Sequence, residues 1–67
     1  MRDINRLDKF YDELKKIHKT LPDWRFGQLV MNFLSWHLTK YRRDIFYLEE
    51  DKIIELFKEY LSELEYV

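Results

Sequence analysis

Sixty-seven residues with one glycine, one proline and no cysteine bound a single domain, 1–67, that has neither disulfides nor thiolate metal ligands to hold it. Twelve Lys/Arg against thirteen Asp/Glu leave a net charge of −1, so no global field draws the chain to nucleic acid or to an anionic membrane. Five Phe, five Tyr and two Trp, 18% of the chain, supply the buried area that chains below about 70–80 residues usually lack, and leave aromatics over for a partner or a second copy.

Residues 1–6, Met-Arg-Asp-Ile-Asn-Arg, are charged where a secretory leader would be apolar. No apolar run approaches the roughly 18 residues of a membrane span. The expected compartment is the cytoplasm, with no membrane contact.

Asp3 suits the N-cap of a first helix over about 3–20. At about 100° per residue, Ile4, Leu7, Phe10, Tyr11, Leu14, Ile17, His18 and Leu21 fall within one arc of about 140°. The lysine-rich remainder faces water. Pro22 ends this helix, and Asp23 is placed to cap a second over 23–41.

Residues 24–41, WRFGQLVMNFLSWHLTKY, are apolar around roughly two thirds of a helical circumference, which predicts a rod covered on two or more sides. Trp24, Leu29, Val30, Phe33, Leu34 and Leu38 are the expected centre of the core. Gly27 on its apolar arc costs about 1 kcal/mol of propensity against alanine and predicts a close approach of another backbone. Lys40, Arg42 and Arg43 complement the negative end of this helix.

Asp44-Ile45-Phe46-Tyr47-Leu48 is rich in β-favouring types but too short and solitary for a sheet. An extended or single-turn connector at 44–48, pinning Phe46 or Ile45 into the core, is the expectation. Glu49, Glu50 and Asp51 suit the positive end of a third helix over about 49–65, with Leu48 and Ile53 spaced as a hydrophobic staple. The fold class that follows is all-α, a compact three-helix bundle with helix two central.

Catalytic chemistry finds no support in the spacings. His18 and His37 have no carboxylate, serine or second histidine placed to complete a catalytic or metal arrangement, and both read as boundary or core histidines. No phosphate-cradling glycine loop or nucleophile–base pair is present. The chain is therefore expected to be no enzyme, with no cofactor and no metal.

Three surfaces are candidates for binding. Gln28, Asn32, Ser35 and Thr39, beside Trp36, form an uncharged stripe where exposed helix positions usually carry Lys or Glu, and charge depletion beside aromatics marks contact surfaces. Asp51, Glu55, Glu59 and Glu63 recur every four residues, a mildly self-repelling arrangement that a basic partner would relieve. Residues 1–48 carry ten basic and six acidic side chains, and 49–67 two basic and seven acidic, so the two parts also attract each other. Lys40, Arg42 and Arg43 are the candidate phosphate contacts, although a recognition helix would need a broader basic face.

At Leu21-Pro22-Asp23-Trp24-Arg25-Phe26-Gly27-Gln28-Leu29 and Asp44-Ile45-Phe46-Tyr47-Leu48-Glu49-Glu50-Asp51 the chain resembles a group of small helical proteins from bacteria and their phages. That group pairs a "PD.R.GQL" stretch with a "D.FY.ED" stretch ahead of a final acidic helix. The resemblance spans roughly residues 3–61 and implies origin and fold; it brings no activity, cofactor or catalytic residue. The leading expectation is a non-enzymatic protein-interaction module, a small bacterial or phage regulator or inhibitor binding a larger protein or self-associating. The alternative is a nucleic-acid-associated helical protein using the basic cluster at the end of helix two.

Overall fold

The computed structural model describes residues 2–64, and within them the chain forms three helices and no strand: α1 (Arg6–Lys19), α2 (Phe26–Tyr41) and α3 (Glu50–Leu64). Position 65, the expected end of the third helix, lies outside the described residues. The other helix ends fall inside the expected spans, for local reasons. Asp3 does not cap α1; its carboxylate accepts the Asn5 amide at 3.0 Å and its carbonyl accepts the Arg6 amide at 3.2 Å, closing a turn that delays the helix.

Asp23 does not cap α2 either. Arg25 is extended at the N-cap, and the Gln28 side chain reaches back to accept its amide at 2.8 Å, the half of a capping box that N3 supplies. The α1–α2 connection is therefore longer than Leu21-Pro22-Asp23. The His18 ring lies 2.7 Å from the Trp24 carbonyl, which sets Nε2–H as the donor, and the Thr20 hydroxyl donates to the Ile17 carbonyl at 2.6 Å.

Helix three, not helix two, is central. α3 packs against both other helices, whereas α1 and α2 approach each other less. It supplies Ile54, Leu56, Phe57 and Tyr60 to a buried cluster completed by Ile17 of α1 and by Leu29 and Phe33 of α2. Phe33 and Leu29 are the most deeply buried side chains. Trp24 and Leu34 pack at the edge of this cluster and Val30 is half-buried, but Leu38, expected at the centre, is 55% exposed.

The physical reason is that α2 turns only one face to the fold. Leu29, Phe33 and His37, four residues apart, line its inner side, while Met31 and Leu38 are exposed. Gly27 meets no neighbour: a Cβ built there has nothing within 4 Å. The expected backbone approach does not occur.

After α2, Arg42 adopts the left-handed conformation (φ 60°, ψ 30°) and its amide reaches the Leu38 carbonyl at 2.9 Å. The connector is a turn, not extended: Asp44 Oδ1 accepts the Phe46 amide (3.1 Å) and the Ile45 carbonyl accepts the Leu48 amide (3.0 Å). Ile45 and Leu48 pack on the core. Phe46 and Tyr47 do not; they are 78% and 89% exposed, with their rings edge to face at 4.8 Å.

The attraction between the basic and acidic parts is realised as ion pairs. Arg2 forks onto Glu49 (2.7–3.2 Å) and Arg6 meets Glu50 at 2.6 Å. Lys58 lies 3.7 Å from Glu13. Arg6 with Glu50 and Glu13 with Lys58 advance together along both helices, so α1 and α3 lie side by side and parallel.

Candidate functional site

The expected binding residues separate into groups that the fold treats differently. Along α2, Gln28, Asn32, Ser35 and Thr39 are all exposed. With the inner side set by Leu29, Phe33 and His37, a 100° step places Met31, Leu38 and Ser35 near the centre of the opposite, outer side. Gly27 and Leu34 lie on one flank and Gln28, Asn32 and Thr39 on the other. No side chain on that outer half carries a charge. Met31 is 65% exposed, so the stripe is partly apolar as well as uncharged. Sequence periodicity alone missed this contribution, because a helix apolar around two thirds of its circumference is expected to be covered on more than one side, and Leu38 to lie at its centre.

Trp36 belongs to the inner edge instead. Its ring packs near Phe33 (5.9 Å) and Tyr60 (5.3 Å), and its indole N–H donates to Glu63 Oε1 at 2.9 Å. Lys40 contacts both Glu59 (2.6 Å) and Glu63, and stands 5.4 Å over the Trp36 ring. The Tyr41 hydroxyl donates to Glu59 at 2.6–2.8 Å. These five side chains form one α2–α3 clasp. Within it, Lys40 and then Tyr41 hold the Glu59 carboxyl below its ordinary value, and Lys40 and then Trp36 do the same for Glu63. The Lys40 ammonium is pushed up by the same carboxylates.

The acidic row of α3 is thereby divided. Glu59 and Glu63 are engaged within the fold, while Asp51 and Glu55 remain exposed, Glu55 lying 3.5 Å from Lys52. The basic cluster divides likewise: Lys40 is in the clasp, and Arg42 and Arg43 are exposed, a few residues before the exposed Phe46 and Tyr47 in the connector.

His18 is held by the connection it closes. His37 is 3% exposed, packed among Phe33, Trp36 and Tyr41 with tilted rings at 5.1–6.3 Å between centroids, and with Nδ1 unpartnered. Among the described residues, no group of three or more His, Asp or Glu could hold a metal ion, and no helix is long and apolar enough to cross a membrane. Open grooves lie among the described residues. One of about 490 Å³ lies among Tyr11, Leu14, His18, Pro22 and Phe26; one of about 520 Å³ between α1 and α3 has Phe10 and Ile54 in its lining and charged side chains around them. No family model, curated protein or solved structure matches the chain.

Proposed function

We propose that this protein is a non-enzymatic protein-interaction module whose contact surface is the outer side of α2. The observation that supports this reading most is the absence of charge from an exposed helical face about 24 Å long (16 residues at 1.5 Å rise), with Met31 and Leu38 standing out of it. The outward positions of α1 and α3, such as Lys9, Asp12, Lys15, Asp51, Lys52 and Glu55, are charged in the usual way. An apolar, uncharged strip in a domain with so small a core favours association, because solvent-facing apolar area of this kind gains stability only when covered. The setting is the cytoplasm of a bacterium, or of one infected by a phage, and the role is that of a small regulator or inhibitor.

A photo-reactive residue at Ser35 tests the reading. It crosslinks to a protein in the host cell, while the same residue at Lys16, on the charged side of α1, does not. Equal yields at both positions, or none at either, contradict it.

The nucleic-acid reading rests on Arg42 and Arg43 with Phe46 and Tyr47 of the connector, since cations together with exposed aromatic rings suit a single strand. It ranks second because Lys40 is committed to Glu59 and Glu63. Binding that survives Arg42→Glu with Arg43→Glu eliminates it.

A further inference from the structure

We propose that the occupant of the outer face of α2 is a second copy of this chain, its α2 packed antiparallel against the first about a two-fold axis between Leu34 and Ser35. The proposal rests on the reading of that face as a contact surface and identifies what covers it.

A face without charge asks for a partner without charge, and among the described helices only α2 itself offers one. The pattern is also self-complementary. Two-fold antiparallel pairing about the midpoint of residues 34 and 35 sets Met31 against Leu38 of the other copy, twice, and Leu34 against Ser35, twice, as an isologous interface requires. The small Ser35 at the crossing lets the helices approach.

The ends agree with the same register. Gly27, with open space where its Cβ would be, falls opposite Arg42 of the other copy. Asp23 stands in the turn that leads into α2, at the same end of the helix as Gly27. Asp23, Arg42 and Arg43 are exposed, and none makes an ion pair among the described residues, so each copy brings an unpaired carboxylate to one end and unpaired guanidinium groups to the other. Parallel pairing would instead bring Arg42 to Arg42 and Asp23 to Asp23. A single helix–helix strip lies at or below the small end of specific interfaces, which places the dissociation constant on the order of tens to hundreds of micromolar.

Analytical ultracentrifugation tests the proposal. The wild-type mass should rise from the 8.5 kDa of one chain toward twice that value as concentration goes from about 1 µM to about 1 mM. Met31→Glu and Leu38→Lys should each remain monomeric while keeping wild-type helical circular dichroism. Mixed in equal amounts, the two variants should dimerise again, because antiparallel pairing sets the new glutamate against the new lysine on one side of the axis and leaves the native pair on the other. A wild type that stays at 8.5 kDa throughout overturns the proposal, and a mixture that stays monomeric overturns the antiparallel register. A monomeric wild type whose position 35 still crosslinks to a different protein rejects the second copy as occupant yet leaves the face a contact surface.

Discussion

Phe33 and Phe57 stack ring on ring, centroids 3.8 Å apart and planes 12° from parallel, and this pair joins α2 to α3. Phe33 also meets Tyr60 edge on at 6.0 Å. Truncation of a buried phenylalanine costs about 3–5 kcal/mol, comparable to the whole stability of so small a domain. Phe33→Ala is therefore expected to abolish the cooperative thermal transition followed by circular dichroism. Met31→Ala, two residues earlier but on the outer side, is expected to shift stability by no more than about 0.5 kcal/mol.

The clasp of Trp36, Lys40, Tyr41, Glu59 and Glu63 makes stability depend on pH at both extremes. Glu59 and Glu63 titrate below their ordinary 4.5, so their contribution is complete above that value and is lost as pH falls through the lowered folded values. Lys40 and Tyr41 titrate above their ordinary 10.5 and 10.0; their contribution is complete below those values and is lost as pH rises through the raised ones. Urea midpoints of the Glu59→Gln, Glu63→Gln variant should fall less steeply than wild type at both ends of the pH range. The effect is modest, because the charged groups are solvent-accessible.

Gly27 sits in the first turn of α2 with ordinary helical backbone, and a methyl group at its Cβ position would have nothing within 4 Å. Gly27→Ala should raise stability by about 0.5–1 kcal/mol through helix propensity and a less flexible unfolded chain. A chemical denaturation curve at low micromolar concentration, where association is absent, reads this directly.

Arg42 is the one non-glycine residue with positive φ among the described residues, at a helix end where glycine is usual. Arg42→Gly should relieve the left-handed penalty and stabilise the monomer by up to about 1 kcal/mol, in the same denaturation assay. That the natural residue is a strained, exposed arginine fits its use at the end of the proposed contact face.

How much of the fold was legible in the sequence depended on whether a residue's role was local or tertiary. Three helices, the break at Pro22, the one-faced pattern of α1 and the burial of Leu29 and Phe33 all follow from periodicity and turn chemistry. Which helix is central did not follow. Residues 24–41 are the most apolar stretch, yet α3 holds the centre because Ile54, Phe57, Tyr60 and Leu61 face one way and Leu56 widens the arc. Gly27 and Leu38 were misplaced by the same assumption of enclosure. Glu59 and Glu63 looked like a free acidic row, since the partner that engages them, Lys40, lies nineteen and twenty-three residues away, beyond any local spacing rule. Gln28 belongs to the uncharged stripe, as its spacing indicates, but its amide also caps α2.

The contact face exists only if the outer side of α2 is surface and not core. Urea denaturation of the Met31→Glu, Leu38→Lys double variant at low micromolar concentration is the direct measurement. The structure predicts an unfolding free energy within about 0.5 kcal/mol of wild type, as for exposed positions away from packed contacts; a loss of about 2 kcal/mol or more, the cost of placing charges in a packed interior, would contradict it and remove the contact face with it.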